Sequence, residues 1–261
     1  MVKTETTRIG RIISIINQKG GVGKSTTAVN LAAALGDLKK KVLLIDLDPQ
    51  GNATSGFGVE KIVGMKCVYD GLINDLPAEE LIIKDVTLNV DMIPATINLA
   101  GAEVELMNEY ARERRLHDLI SPIKNKYDFL LIDCPPSLGQ LTINALTAAQ
   151  SLIIPIQCEF YALEGLTKLL ETEKLVKTRM NSELDILGVV MTMYDNRTTL
   201  GKQVIEEVNK FFGNKVFNTK IPRTVKLAEA PSYGQSILRY YPKGKGAIAY
   251  RELAKEVIKR V

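Results

Sequence analysis

The 261-residue sequence has little cysteine and almost no histidine. Its three cysteines, Cys67, Cys134 and Cys158, form no CxxC pair and no metal-ligand spacing, so they predict buried thiols in a reducing compartment. The single histidine, His117, lies in a charged stretch of helical periodicity and is expected at the surface. Neither a Ser/His/Asp triad nor a histidine-based metal centre is expected.

Long hydrophobic runs are also missing. The longest, such as residues 12–16 and 152–156, end well short of the ~20 residues that a membrane-spanning helix needs. Residues 1–11 are polar and mixed in charge, without the apolar segment of a secretion signal. We therefore expect a cytoplasmic protein.

No internal repeat, low-complexity tract or linker divides the chain, and we predict one domain over residues 1–261, with residues 1–10 as a flexible tail. Short apolar runs alternate with helical stretches, which predicts an α/β fold whose mainly parallel sheet has helices on both faces. The predicted strands are 11–17, 41–46, 88–93, 129–133, 151–156, 186–193 and, at an edge, 215–221. The predicted helices are 24–36, 98–110, 113–124, 141–149, 163–178, 200–212 and 247–258.

Positive charge is concentrated at the C-terminal end. Residues 190–261 hold 14 Lys and Arg against 6 Asp and Glu, whereas residues 1–189 hold 20 against 24. The net charge of +4 thus divides into +8 and −4. The basic part predicts either a polyanionic partner or only a solvated charged surface.

The strongest motif follows the first predicted strand and opens the first predicted helix. It is the run Lys19, Gly20, Gly21, Val22, Gly23, Lys24, Ser25 and Thr26. Glycines let several backbone N–H groups point at one anion, and the helix adds its positive dipole end. Lys24 can reach β- and γ-phosphates, and the Ser25 hydroxyl can bind Mg²⁺. The alternative is a glycine-rich turn without a ligand.

Acidic residues follow two of the predicted strands. Asp46 and Asp48 lie two positions apart at the end of the second, and an extended segment would point both the same way. Asp133 ends the apolar run 129–133 and precedes two prolines. Ligand sites of open α/β sheets lie at this edge, so these aspartates are candidate magnesium and catalytic groups.

The phosphate loop has Lys19 as an additional lysine and Gln18 where the common form has glycine. This pattern, KGGxGK[ST], resembles the deviant Walker family that includes the ParA/Soj partitioning proteins, MinD, the nitrogenase iron protein and the arsenite-pump ATPase. The resemblance implies a Rossmann-like P-loop ATPase that binds ATP and Mg²⁺. It also implies that Lys19 crosses a dimer interface to the partner's nucleotide; the alternative is a second lysine for its own phosphates.

The resemblance also assigns the remaining roles at the nucleotide. Asp48 would act on the attacking water beside the catalytic lysines Lys19 and Lys24. Ser25, Asp46 and Asp133 would hold or support Mg²⁺. The adenine side would be formed by the residues that match the family's base-binding loops, Met193, Pro222 and Arg223.

Several features are typical of the partitioning branch. They are the run DPQGNAT at 48–54, Arg197 after the sixth strand, and the segment LAEAPS at 227–232. The paired cysteines of the nitrogenase protein and the tandem repeat of the arsenite pump are missing. MinD ends in a membrane-binding helix, but the predicted helix 247–258 carries acids among its bases, which favours packing on the domain.

This branch implies an ATP-dependent homodimer that binds double-stranded DNA without sequence preference. The residues expected to contact phosphates are Arg197, Lys226, Arg239, Lys243 and Lys245. A ParB/Spo0J-like centromere-binding protein would stimulate hydrolysis, and the protein would be nucleoid-associated without a membrane partner. Two alternatives remain: a MinD-like membrane-cycling regulator, and an ATPase that positions a protein cargo on the nucleoid.

Overall fold

The computed structural model describes residues 10–159, 166–195 and 197–261. Eight strands of these residues form one sheet. They are β1 (Arg11–Ile15), β2 (Val42–Asp46), β3 (Ile83–Thr87), β4 (Val90–Ile93), β5 (Phe129–Asp133), β6 (Ser151–Gln157), β7 (Asp185–Tyr194) and β8 (Val216–Pro222). Their order is β3-β4-β2-β5-β1-β6-β7-β8, and every neighbouring pair is parallel except β3 with β4.

Helices connect the strands. They are α1 (Lys24–Asp37), α2 (Asn52–Gly56), α3 (Val68–Ile73), α4 (Ala78–Leu81), α5 (Leu99–Glu105), α6 (Arg115–Ile120), α7 (Gln140–Ala148), α8 (Leu166–Arg179), α9 (Thr199–Phe212), α10 (Val225–Glu229), α11 (Ile237–Tyr240) and α12 (Lys245–Arg260). A 3-10 turn, Leu106–Asn108, continues α5.

Helices cover both faces of the sheet, as the sequence predicts. Along β1, Ile13 and Ile15 pack with α1 and α12, whereas Ile12 and, just after the strand, Ile16 pack in a second cluster with α7 and α8. Side chains of a strand alternate between the two faces, so each face of the sheet has its own hydrophobic cluster. The near-continuous apolar strands of the sequence reflect this burial on both sides.

The predicted strands and longer helices are confirmed with small changes at their ends. The structure adds β3, an antiparallel strand that the sequence analysis missed because its residues, Ile-Lys-Asp-Val-Thr, are only partly buried. The strand predicted to begin at Leu88 begins at Val90, because Leu88 and Asn89 form the turn of the β3–β4 hairpin, with Asn89 at φ 59°. Strand β8 lies at the other edge, as predicted. The predicted start of the helix 163–178 falls outside the described residues.

The C-terminal helix α12 packs on the sheet and on α1. Its apolar residues Tyr250, Leu253, Ala254 and Val257 are buried, so they belong to the core of the protein. No helix among the described residues combines the length and the apolar character needed to cross a bilayer. The expectation that this helix packs on the domain is confirmed.

The last turn of α12 is held by Arg260. Its guanidinium donates hydrogen bonds to the carbonyls of Leu187 at 3.0 Å, Lys215 at 3.0 Å and Val216 at 2.9 Å. The same group lies 4.1 Å from the centre of the Phe217 ring. One side chain thus joins α12 to β7 and β8 at the edge of the sheet.

Replacing this arginine should destabilise the fold. Arg260→Met leaves three carbonyls without their charged donor, and we expect the free energy of unfolding to fall by about 2 kcal/mol. Urea denaturation followed by circular dichroism measures this change. Lys259→Met, at an exposed neighbouring position, is the matched control and should change the value by less than about 0.5 kcal/mol. An equal fall in the free energy of unfolding in both variants would mean that the contacts of Arg260 with the three carbonyls do not stabilise the fold.

Candidate nucleotide site

The phosphate loop joins β1, at the centre of the sheet, to the N-terminus of α1. Gly21 has φ 74° and Gly23 has φ 89°, conformations that a residue with a Cβ adopts only with strain. Gly23 is also the residue that precedes the first turn of α1. The glycines of the motif therefore let the loop turn back so that the helix N-terminus faces it, as an anion site requires.

Contacts from neighbouring strands hold this loop. The hydroxyl of Thr192 on β7 donates a hydrogen bond to the carbonyl of Val22 at 2.8 Å. Asn17 donates to the carbonyl of Pro155 on β6 at 2.7 Å, and its side-chain oxygen accepts from the N–H of Lys19 at 3.0 Å. The sequence analysis did not identify Asn17 or Thr192, because only the sheet order brings β6 and β7 beside the loop.

The two lysines of the motif have different surroundings. Lys24 is 6% exposed, and its ammonium donates to the Lys19 carbonyl at 3.1 Å. Burial lowers the pKa of Lys24, and the nearby carboxylates of Asp133 and Asp48 oppose this shift. The side chain of Lys19 is 37% exposed, and its ammonium lies 4.0 Å from the carboxylate of Glu159.

A cavity of about 430 Å³ opens in front of the loop. A second cavity of about 390 Å³ adjoins it, and Gly23, Thr26 and Met193 line both. Of the residues predicted to bind the nucleotide, those in the first cavity are Gly20, Gly21, Gly23, Lys24, Ser25, Thr26 and Met193. Pro222 and Arg223 line the second, whereas Lys19 and Val22 line neither. The loop and the predicted base-side residues thus lie in one continuous depression.

The second cavity also contains residues that the sequence analysis did not assign. Thr224, Val225, Leu227 and Ala228 form one wall, and Tyr250 of α12 forms part of another. The hydroxyl of Thr224 accepts a hydrogen bond from the N–H of Leu227, so Thr224 caps the N-terminus of α10. Threonine is a common capping residue at the start of a helix, and Thr224 could therefore have marked the start of α10 in the sequence.

Two of the predicted magnesium residues face each other across neighbouring strands. Asp46 on β2 pairs in register with Asp133 on β5, at the carboxyl ends of both strands. Asp46 accepts hydrogen bonds from the N–H of Asp48 at 3.2 Å and from the N–H and hydroxyl of Thr54, both at 2.7 Å. Burial raises the pKa of Asp46 to about 6, although these hydrogen bonds act to lower it. Asp46 thus organises the loop that follows β2.

Asp133 has a different environment. It is fully buried, and neither of its carboxylate oxygens has a hydrogen-bond partner among the described residues. Burial first, and then the carboxylate of Asp46, raise its pKa well above the usual range, while the nearby Ser25 hydroxyl and Lys24 oppose the shift. A divalent cation near Ser25 would supply the missing charge, so the residues present fit magnesium.

Asp48 lies beyond the end of β2 and lines the first cavity. Its carboxylate accepts from the N–H of Gln50 at 2.9 Å, and the side chain is nearly buried. Asp46 and Asp48 have different partners, since Asp46 accepts hydrogen bonds from Thr54 whereas Asp48 lines the cavity.

The five residues predicted to bind DNA are exposed: Arg197, Lys226, Arg239, Lys243 and Lys245. Two of them form ion pairs. The Nε and Nη2 atoms of Arg197 donate hydrogen bonds to the two carboxylate oxygens of Asp195, at 2.9 and 2.7 Å. The Lys226 ammonium lies 2.8 Å from the carboxylate of Glu229. Asp195 follows β7 directly, close to the shared cavity residue Met193.

A strand–glycine loop–helix unit at the centre of a parallel sheet, with buried aspartates on the adjacent strands, defines the class of P-loop nucleoside triphosphatases. Residues 10–186 match the family model described as AAA domain. The chain is 57% identical over 249 residues to the sporulation initiation inhibitor protein Soj of Bacillus subtilis, covering 95% of this chain and 98% of that protein. It is 49% identical to the chromosome partitioning protein ParA of Myxococcus xanthus, covering 97% and 89%.

Solved structures agree. Cobyrinic acid a,c-diamide synthase from Mycobacterium smegmatis, with bound ATP analogue and magnesium, superimposes with a TM-score of 0.85 at 37% identity over 96% of this chain and 95% of that one. A putative plasmid partition protein from Borrelia burgdorferi, bound to AMPPNP, gives 0.84 at 25% identity over 97% and 100%. The chain belongs to the ParA/Soj family of chromosome-partitioning ATPases.

Asp133 should oppose folding of the ligand-free protein at neutral pH. Its folded-state pKa is raised, so its contribution favours folding below the unfolded pKa and is lost as the pH rises through the folded pKa. Asp133→Asn removes this cost, and we expect the melting temperature without nucleotide at pH 7.5 to rise by several degrees. This rise corresponds to an increase of about 1 kcal/mol or more in the free energy of unfolding.

The same substitution should reduce the stabilisation that magnesium and ATP give the wild type in differential scanning fluorimetry. Glu60→Gln removes one charge at an exposed site and serves as the control. A melting temperature that falls in Asp133→Asn, with magnesium stabilisation intact, would contradict the role of Asp133 as an uncompensated carboxylate.

Proposed function

We propose that this ATPase binds ATP and magnesium in the two joined cavities, dimerises on ATP, and binds DNA as the dimer. Hydrolysis then returns it to a weakly binding state, and the cycle segregates or positions DNA. The observation that carries the proposal is the position of Lys19. It belongs to the phosphate loop, yet its ammonium lies outside its own cavity and is partly exposed.

The two cavities fit the parts of a nucleoside triphosphate. The glycine loop, Lys24 and the first turn of α1 would hold the phosphates, and the apolar second cavity would hold the base. Magnesium, held from the side of Ser25 and Asp133, would neutralise phosphate charge. Asp48 is the carboxylate that reaches the cavity, so it would orient the attacking water.

Dimerisation would bring Lys19 to the phosphates of the second subunit. Two triphosphates facing each other across an interface repel, and a lysine contributed by each subunit compensates that charge. In this structure the Lys19 ammonium lies 4.0 Å from the carboxylate of Glu159, a weak contact that it can leave without much loss. The γ-phosphate thereby decides whether the dimer is stable.

DNA binding would depend on Arg197 and Lys226, with Arg239, Lys243 and Lys245 adding phosphate contacts. All five are flexible exposed cations, which suits contact with phosphates rather than with base edges. A dimer doubles their number. Each phosphate neutralised contributes about −0.9 to the slope of log K against log salt. ATP should therefore both raise the affinity and steepen its salt dependence.

The stimulating partner would be a ParB/Spo0J-like centromere-binding protein, and the cycle would take place on the nucleoid. A MinD-like membrane cycle is disfavoured because the apolar face of α12 is used in the core. An ATPase that positions a protein cargo would use the same site and the same cycle with another partner. The likeness to cobyrinic acid a,c-diamide synthase is weaker in sequence, at 37%, than the likeness to Soj, at 57%.

A DNA gel-shift titration tests the proposal directly. Two unrelated duplexes are compared with ATP, ADP and no nucleotide, at several salt concentrations. We expect equal binding to both duplexes, with ATP required. Equal binding with ADP and ATP would contradict the nucleotide gate, and a strong preference for one duplex would contradict sequence-independent binding.

Lys19→Ala should separate ATP binding from dimerisation. Because Lys19 lies outside the cavity of its own subunit, we expect ATP affinity to stay within about threefold, whereas the ATP-dependent dimer and hydrolysis are lost. Multi-angle light scattering and binding of a fluorescent ATP analogue measure the two effects. Lys24→Ala is the contrasting variant and should lose nucleotide binding itself. An ATP-dependent dimer of Lys19→Ala would rule out the cross-interface role.

Arg197→Glu and its partner variant Asp195→Asn should change DNA affinity in opposite directions. Arg197→Glu removes a phosphate contact and adds a repulsion, so we expect DNA binding to be lost with ATP binding intact. Asp195→Asn frees the Arg197 fork from an exposed ion pair, and we expect affinity to rise about two- to fivefold. Lys174→Glu, at an exposed lysine outside the predicted set, is the charge-matched control. If Arg197→Glu binds DNA like Lys174→Glu, the DNA surface lies elsewhere.

A further inference from the structure

A further cavity, of about 680 Å³, lies next to the nucleotide site. It is lined by residues 57–58 after α2, by residues 85–89 of the β3–β4 hairpin, and by residues 233–236 and 239 of the C-terminal segment. Gln235 lines both this cavity and the phosphate cavity, so the two are neighbours. We call it the hairpin cavity. Its volume is within the range of about 300–1,000 Å³ that is typical of small-molecule sites.

Two glycines join the walls of the hairpin cavity. Gly58 has φ 74° and Gly234 has φ 61°, and both line the cavity. Their backbones cross in contact, because a Cβ on Gly234 would lie 2.4 Å from the Gly58 Cα. A side chain on Gly234 would therefore push the two segments apart. Backbone packing sets the distance between these walls, so the cavity is built into the fold.

Opposite charges line the hairpin cavity from separate walls. Asp85 belongs to the hairpin, and Arg239 belongs to α11. Both residues are exposed, and neither forms an ion pair with any residue that the structure describes. Two unpaired opposite charges on one cavity suit a ligand that has an anionic group for the arginine and a hydroxyl or amino group for the aspartate.

A buried hydroxyl in the wall of the hairpin cavity has no partner. Ser236 is 2% exposed and lines the cavity, and its Oγ atom has no hydrogen-bond partner among the described residues. Ser236 stands directly before α11, where a serine usually accepts a hydrogen bond from the helix, yet its side chain makes no such bond. An unpaired buried hydroxyl is costly, and a ligand that supplied a hydrogen bond would recover this cost.

An aromatic ring also lines the hairpin cavity. Tyr233 is 64% exposed, and its ring stacks on that of Tyr240, with the ring centres 4.9 Å apart and the planes at 26°. This stacking orders a ring that is otherwise open to solvent. An ordered aromatic face can stack on a nucleobase, and a nearby arginine can pair with the phosphate of the same nucleotide.

We propose that the hairpin cavity is a second ligand site, which binds a nucleoside monophosphate. The phosphate pairs with Arg239, and the base stacks on Tyr233. The ribose hydroxyls bond to Asp85 and Ser236. A DNA duplex also offers phosphates to Arg239, but its deoxyribose has no free hydroxyl for Asp85, and its phosphates are repelled by that carboxylate. The combination of contacts therefore favours a small ribonucleotide.

Occupancy of the hairpin cavity regulates DNA binding, a consequence that rests on the proposed function. Arg239 is one of the five cations proposed to contact DNA phosphates. A nucleotide bound to Arg239 removes that contact from each subunit of the dimer. Since each phosphate contact contributes about −0.9 to the slope of log K against log salt, we expect the slope to become shallower by about 1.8. The ligand thus weakens DNA binding without entering the ATP site.

Isothermal titration calorimetry tests the site itself, without DNA. The full chain is first saturated with AMPPNP and Mg²⁺, which fill the ATP site, and AMP or GMP is then titrated. We expect one further site per subunit with a dissociation constant below about 1 mM, and at least about tenfold weaker binding of adenosine and of inorganic phosphate. No binding of either nucleotide at millimolar concentration would overturn the inference. Equal affinity for AMP and inorganic phosphate would also overturn it, because the nucleoside would then contribute nothing.

Variants locate the bound nucleotide. Asp85→Asn and Ser236→Ala should each weaken AMP binding about fivefold or more, whereas Glu171→Gln, at an exposed acid on α8, is the matched control and should bind AMP like the wild type. The Ser236 hydroxyl has no partner in the ligand-free protein, so the melting temperature of Ser236→Ala should not fall. Hydrogen exchange should show protection of residues 85–89 and 233–239 by AMP. Equal AMP affinity in all four proteins would overturn the inference.

DNA gel shifts with saturating ATP, with and without AMP, test the regulatory consequence. We expect AMP to weaken DNA binding by the wild type and to reduce its salt dependence, with a smaller effect on Asp85→Asn and Ser236→Ala. An equal effect of AMP on the wild type and both variants would place AMP in the ATP site and overturn the inference. A DNA affinity that stays unchanged while AMP binds would overturn the role of the cavity in DNA binding. Failure of the wild type to bind DNA with ATP, in the absence of AMP, would refute the proposed function instead.

Discussion

The site depends on one electrostatic constraint, the burial of three carboxylates beside a single buried ammonium. Asp46, Asp48 and Asp133 lie at the carboxyl ends of β2 and β5, and Lys24 is the cation that faces them. Burial and mutual repulsion raise the pKa values of Asp46 and Asp133. Such a cluster is costly without further positive charge, so the fold carries a built-in preference for a bound cation.

Hydrogen bonds connect this cluster to neighbouring segments of the fold. Asp46 is bound to Thr54, and Thr54 is bound to Ala95 in the segment that follows β4. Glu103 of α5 in turn contacts the start of α7 after the second acidic loop.

Much of the fold could be predicted from the sequence because its strands are apolar on both faces and its longer helices are periodic. β1, β2 and β5 were located within a few residues, whereas β3 was not, since its stability comes from pairing with β4 and not from its own composition. Helices of four to six residues, such as α2 and α10, are shorter than a periodic pattern can reveal. Asn17 and Thr192 were missed for a related reason, because nothing local marks them as supports of the loop.

The sequence by itself determined the phosphate loop and the family, because local spacing alone makes a glycine loop that can wrap an anion before a helix. Only the tertiary structure decided which contacts each of the three aspartates makes. Parallel pairing of β2 with β5 sets Asp46 against Asp133, and Asp46 is bound to Thr54 whereas Asp48 lines the cavity. The exposure of Val104 and Met107 was equally invisible, since an apolar residue in a helix is buried or exposed according to which neighbours pack against it.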